Sequence, residues 1–211
     1  LRTVTSYCET IKLAKVARAA RTSYYQVVAR EVVANIDCGN ILDIGTGPGY
    51  LPIEIAKMAP NIRIEGIDLS RRLIKIAHSN AKEANVLTQV NFKVGDANNL
   101  RFEDNRFDMV VSTGSFHSWK NPVRVLNECY RVLKAGREAW IYDPAKIATE
   151  EMTKLWLIGK RDHIAYKWAS LTHPVMAGAY SVDEIHQIVG KTKFPDYQVE
   201  LGEWTRIKLR K

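Results

Sequence analysis

An apolar strand running straight into alternating glycines constrains this chain more than any other feature. Asn40-Ile41-Leu42-Asp43-Ile44 is followed by Gly45-Thr46-Gly47-Pro48-Gly49-Tyr50. Glycines there let the backbone take left-handed conformations and approach a ligand closely. The helix that follows offers free N–H donors at its start. Strand, glycine turn and helix in that order place a nucleotide-type ligand site at the end of the first strand.

The rest of the chain reads as a repetition of that unit. Helical spacing of Val16, Ala19, Ala20, Val27, Val28, Val32 and Val33 predicts helix over about 4–36. Leu51 to Met58 is a helix stopped by Pro60, and Ile62 to Asp68 a strand. Ser70 caps a helix reaching Ala84, and Val90 to Val94 and Phe107 to Ser112 are strands. Pro122 opens a helix that runs to about Leu133, and Ala139 to Tyr142 is the fifth strand. Strands alternating with helices over 40–143 predict an open, doubly wound α/β sheet that is mostly parallel. After a helix over Val182 to Val189, Tyr197 to Leu201 and Thr205 to Leu209 alternate as strands, separated only by Gly202, Glu203 and Trp204. They predict a terminal antiparallel hairpin.

Composition narrows the function class. The 211 residues suffice for one packed domain, and 46% hydrophobic residues is ordinary for a globular chain. No apolar run reaches the ~18–20 residues of a membrane span. The three cysteines, Cys8, Cys38 and Cys129, have no metal spacing, and the expected compartment is the cytoplasm with the thiols reduced. The chain begins at Leu1 and not Met, which leaves open whether residues precede it. A net charge of +8 raises the question of nucleic acid, but the basic residues are dispersed and lack the interleaved aromatics of a single-strand groove.

The glycine turn is not the dinucleotide fingerprint. That pattern needs a small residue in the sixth position from Gly45, and Tyr50 stands there, which disfavours a nicotinamide cofactor. Two acidic positions redirect the reading. Asp68, at the end of the second strand, is placed to accept both hydroxyls of a ribose. Asp96, in Gly95-Asp96-Ala97, is placed to accept from an adenine amino group. Each also reads as a turn or helix-start anion.

Together these residues resemble the class I S-adenosylmethionine-dependent methyltransferases, in particular the small-molecule branch that includes the ubiquinone/menaquinone C-methyltransferases. The blocks that carry the resemblance are Leu42 to Gly49, Gly66-Ile67-Asp68-Leu69-Ser70, Gly95-Asp96-Ala97, Phe102 to Asp108 and Phe116 to Pro122, over about half the chain. The resemblance implies a Rossmann-like methyltransferase fold of seven strands with an antiparallel last strand. It also implies S-adenosyl-L-methionine as cofactor, with S-adenosyl-L-homocysteine as product. Asp43, Gly45, Thr46, Gly47 and Gly49 would surround its methionine end, with Thr113 approaching from strand four. Asp68 would take the ribose, Leu69 would cover the adenine, and Asp96 and Ala97 would read its edge. One departure is Lys134-Ala135-Gly136-Arg137 before strand five, where the family usually has Lys-Pro-Gly-Gly.

Methyl transfer asks the protein to align a nucleophile in line with the methyl group and to exclude water. His117 is the candidate base, or else a packing or cofactor-contact residue. Trp119 is expected to pack on Pro122 and its helix. The acceptor is expected to be a small molecule, selected by helices over 1–36 and a cap over 144–180, ahead of the closing helix and hairpin over 181–211. Tyr24, Trp168 and Tyr180 join His117 as candidate acceptor contacts, and Tyr25 beside Tyr24 as a closing residue. Trp156, His163, Tyr166, His173 and Met176 add aromatic and soft apolar character to that cap. No carboxylate or thiol completes a metal site with its histidines, so no metal is expected. Two alternatives remain: an RNA or protein methyltransferase, and a cofactor-binding regulatory protein without turnover. Oligomeric state is not legible.

Overall fold

A computed structural model describes residues 14, 15, 17, 18, 24–144, 146, 179–202 and 204–211. The described elements are α1 (Gln26–Asn35), β1 (Gly39–Ile44), α2 (Tyr50–Met58), β2 (Ile62–Asp68), α3 (Arg71–Glu83) and β3 (Val90–Val94). They continue with β4 (Phe107–Thr113), a short 3₁₀ turn (Phe116–Ser118), α4 (Pro122–Val132), β5 (Leu133–Pro144), α5 (Val182–Val189), β6 (Asp196–Glu200) and β7 (Trp204–Arg210).

These strands form one sheet in the order β3-β2-β1-β4-β5-β7-β6. The first five run parallel, and β7 lies antiparallel between β5 and β6. The expected doubly wound α/β sheet with a terminal hairpin is therefore the observed architecture. Side chains of a strand alternate between its two faces, so each face builds its own core. Ile41 packs with Val28, Ile53, Ile64 and Trp140 under α1, α2 and α3. Its neighbour Leu42 packs with Val110, Leu126 and Ile185 under α4 and α5. β4 is buried along its whole length, as its continuous apolar run requires. No helix among the described residues is long and apolar enough to cross a membrane.

Strand order reverses between β1 and β4, which leaves a crevice beyond their carboxyl ends. Three local devices shape it. Gly45 N and Thr46 N both donate to Ile67 O at 2.9 Å, which ties the glycine turn to the end of β2. Gly49 takes φ +80° at the N-cap of α2, where a Cβ would stand 2.7 Å from the Phe92 ring. It thus performs the close helix–sheet packing that the dinucleotide motif assigns to its last glycine, displaced by one position. Ser70 caps α3, its Oγ accepting from Leu73 N at 3.3 Å, while its own N–H donates to Asp68. Ser70→Ala is expected to cost about 1 kcal/mol, read as a lower urea midpoint with unchanged slope.

The fifth strand is longer than its apolar core suggests. Pairing with β4 runs from Leu133 to Tyr142, and pairing with β7 carries the strand on to Pro144. The departure at 134–137 is looped out of register: Phe107 faces Leu133, but Met109 already faces Glu138, and Gly136 takes φ +72°. Of the helix expected over 4–36, α1 accounts for the described end. Residues 147–178, including Trp156, His163, Tyr166, Trp168, His173 and Met176, lie outside the described residues.

Candidate functional site

Beyond the carboxyl ends of β1, β2 and β3 lies an open cleft of about 290 Å³, lined in part by Gly45, Asp68, Leu69, Asp96 and Ala97. Five of the sequence-predicted ligand residues therefore meet on one surface. Asp68 Oδ2 accepts from Gly47 N at 3.0 Å and Oδ1 from Ser70 N at 2.8 Å. Burial raises its pKa, and those two N–H donors offset part of the rise. Each carboxylate oxygen keeps a lone pair, so holding the loop and receiving a ligand are compatible. Asp96 accepts from the Asn98 backbone and amide, both at 2.9 Å, and these bonds hold its carboxyl below the usual range. Leu69 is 53% exposed, an apolar side chain left uncovered at the cleft.

The opposite wall comes from the loop after β4. Ser112 Oγ donates to Ile44 O at 2.8 Å and lies 2.7 Å from Ser115 Oγ, joining the ends of β4 and β1. Trp119 Nε1 donates to Ser115 Oγ at 3.1 Å, and its ring meets Phe116 edge-on with centroids 5.3 Å apart. Trp119 thus lines the cleft facing Leu69 and Asp96, instead of serving only to pack Pro122. Ser115 was not legible as a site residue. Its only sequence signal is adjacency to Gly114, and its role depends on contact with Ile44, 71 positions away. A Cβ on Gly45 would fall 2.6 Å from the Ser115 side chain, so that approach needs glycine.

The remaining turn residues lie behind the surface. Asp43 is 1% exposed, and among the described residues neither carboxylate oxygen has a hydrogen-bond partner. Burial pushes its pKa up to about 7, with the Thr46 hydroxyl nearby lowering it and the charge of Asp68 adding to the rise. Thr46 Oγ1 and Tyr24 Oη are likewise sealed and unpartnered. Gly47 serves through its N–H to Asp68, and Gly49 faces Phe92 and Ala77 and not the cleft. Thr113 is buried at the end of β4, opposite Tyr142, and does not line the cleft.

Tyr24 and Tyr25, just ahead of α1, both lie close enough to Asp43 to feel its charge. Tyr24 stacks on Trp204 at 4.1 Å, and Tyr25 lies 6.0 Å from the Tyr50 ring. Burial raises both hydroxyl pKa values, as does the charge of Asp43. His117 sits in the 3₁₀ turn between Ser115 and Ser118, which line the cleft, but is not itself a lining residue; its Nδ1 lies 3.0 Å and 3.1 Å from the two oxygens of Asp143, the penultimate residue of β5. Asp143 was not legible as a site residue; it stood at the boundary of the expected cap. Tyr180 packs on Phe116 with ring centroids 5.0 Å apart, and the charge of Asp143 adds to the burial that raises its hydroxyl pKa.

Carboxylates from the ends of four strands thus converge on one edge of a chain with net charge +8. A sealed carboxylate without a partner is costly unless a ligand supplies a donor. The edge suits a cationic, nucleoside-bearing ligand.

Known proteins bear on that chemistry. Demethylmenaquinone methyltransferase of Thermotoga maritima is 35% identical over 104 residues, covering 49% of this chain and 43% of the relative. A ubiquinone/menaquinone biosynthesis C-methyltransferase of Geobacter sp. (strain M21) is 25% identical over 172 residues, covering 80% of this chain and 69% of that protein. Against the first three curated relatives the match spans only 38% to 43% of their length. In fold, the chain resembles a Methanococcus maripaludis protein named as an S-adenosyl-L-methionine-dependent methyltransferase. The TM-score is 0.77 at 24% identity, over 97% of this chain and 92% of the other. The family model described as "Methyltransferase domain" matches residues 37–193, from before the glycine turn to beyond α5, and the chain belongs to that family.

Proposed function

We propose that this protein binds S-adenosyl-L-methionine in the β1–β4 crevice and catalyses transfer of its methyl group to a small-molecule acceptor. The observation that carries this reading is Asp43: a sealed carboxylate with no partner among the described residues, behind a cleft whose other acidic groups stand where a nucleoside would lie. The methionine ammonium would supply the missing donor at Asp43. Asp68 would accept from the ribose hydroxyls, Leu69 and Trp119 would bracket the adenine, and Asp96 would receive its amino group. The names of the curated relatives favour a small-molecule acceptor over RNA or protein.

When bound, the cofactor supplies a methyl group on a sulfonium, already activated for displacement. The protein's part is to hold that group still, exclude water and present the acceptor in line with the methyl–sulfur bond. Negative potential from Asp43 and Asp68 favours a cation in the ground state, so rate must come from alignment and not from further charge stabilisation. Tyr24 and Tyr25 would close the N-terminal side.

Calorimetry with S-adenosyl-L-homocysteine tests the site. Asp68→Ala is expected to weaken binding by ~1–3 kcal/mol, because the ribose hydroxyls lose a partly buried acceptor. Unchanged affinity would remove the ribose from this cleft. Release of S-adenosyl-L-homocysteine from a metabolite panel tests turnover. Binding without any release would leave a regulatory protein that uses the same site.

A further inference from the structure

We propose that His117 is the catalytic base of this site, that Asp143 is its positioning residue, and that the methyl acceptor carries an ionisable hydroxyl. The proposal rests on the methyl-transfer reading above and deepens it. Asp143 accepts the His117 backbone N–H at 3.0 Å through Oδ2 and faces Nδ1 with both oxygens. An ionised carboxylate only accepts, so Nδ1 must donate, and the lone pair of the neutral ring is confined to Nε2. The His117 side chain is 11% exposed, and among the described residues Nε2 has no hydrogen-bond partner. Nor is it among the unpaired atoms sealed from solvent.

A histidine serving only to pin the loop would not need this arrangement. The backbone N–H to Asp143 and the Ser112–Ser115–Ile44 bonds already fix the turn. Here Nδ1 is tethered while Nε2 is left open to an acceptor, and the charge of Asp143 also reaches the sealed Tyr24 hydroxyl. Tyr180, from the opposite side, also feels Asp143. The titratable groups that feel the charge of Asp143 are therefore Tyr24 and Tyr180 besides His117, and of these only the imidazole carries a basic nitrogen.

That placement has a use if the acceptor must lose a proton as it attacks. The hydroxyl proton passes to Nε2 while the oxygen forms its bond to the methyl carbon. The methyl–sulfur bond breaks with its electron pair remaining on sulfur. The imidazolium is balanced by Asp143 through Nδ1–H and returns its proton to water. An acceptor already anionic or without a proton on its nucleophile would gain nothing from the pair.

The test is ¹⁵N NMR of the histidine rings in the full chain with bound S-adenosyl-L-homocysteine, assigned with His117→Asn. The expected result is an Nδ1–H tautomer in the parent that is lost in Asp143→Asn. Alongside it, both variants should bind S-adenosyl-L-homocysteine within threefold of the parent. Both should methylate catechol or 4-nitrophenol at least a hundredfold more slowly with S-adenosyl-L-methionine as donor. Four results overturn the proposal: an Nε2–H tautomer in the parent, a tautomer indifferent to Asp143→Asn, a tenfold loss of ligand affinity in either variant, or transfer to thiol probes but to no hydroxyl probe. A parent that binds no S-adenosyl-L-homocysteine overturns methyl transfer itself and the base with it, while the ring signals still report whether the tautomer is imposed.

Discussion

Asp43→Asn is expected to make the ligand-free protein more stable at pH 8 while weakening S-adenosyl-L-homocysteine binding a hundredfold or more. Both effects follow from a carboxyl that is sealed without a partner and whose pKa burial pushes up to about 7. In the unfolded chain the same group titrates near its usual value of about 3.9. Between these values the folded state holds a proton that the unfolded state has lost, so stability falls as pH rises from about 4 to about 7 and is level above. About three pH units at roughly 1.4 kcal/mol each puts the loss at up to about 4 kcal/mol. Asparagine does not ionise and escapes it. The same substitution removes the partner proposed for the ligand ammonium, and an unpaired buried charge costs ~3–5 kcal/mol. Urea midpoints at pH 5 and pH 8, with calorimetry at pH 8, check both halves. Equal pH dependence in parent and variant would show that Asp43 is not protonated on folding.

Gly49→Ala is expected to destabilise the fold by ~2–5 kcal/mol, of which about 1–2 arises from the left-handed backbone and the rest from crowding. The residue sits at φ +80°, and its new methyl would lie 2.7 Å from the Phe92 ring and 3.0 Å from the Ala77 Cβ. Phe92 and Ala77 belong to β3 and α3, so neither can withdraw without disturbing the sheet or its covering helix. A loss that large is a substantial part of the total stability of an ordinary domain. Phe92→Leu, mild on its own, is expected to return part of the loss in the double variant, a coupling that urea unfolding of the four proteins measures. A loss below 1 kcal/mol would mean that α2 docks more loosely than the structure shows.

Much of the fold was legible because its signals are local. β2, β3 and α5 have the bounds read from the sequence because their limits are local, and in α5 the structure adds a Ser181–Glu184 capping box at the first turn. β5 was cut short because its ends are strand only through tertiary pairing, Leu133 with Phe107 of β4 and Asp143 and Pro144 with β7, about sixty positions away in sequence. The same division runs through the site. Asp68 and Asp96 end strands whose limits local pattern defines, and the structure brings both to one cleft. Ser115, the cleft-facing role of Trp119 and Asp143 carried no such mark. Each acquires its position from a contact across the sheet edge: Ser115 to Ile44, Trp119 to Ser115, and Asp143 to His117.

The glycine turn itself shows where the boundary lies. Alternating glycines after an apolar strand determine by local sterics that the backbone bends sharply and that a helix start is presented. They do not determine which glycine faces a ligand. Gly45 lines the cleft against Ser115, whereas Gly49 is spent on Phe92. Backbone conformation is set by a residue and its neighbours, so the sequence alone decided the turn, the alternation of strands and helices along the chain and the acidic strand ends. Burial and partnership belong to whole surfaces, so only the tertiary structure decided that, among the described residues, Asp43 is sealed without a donor and one nitrogen of His117 is without a partner.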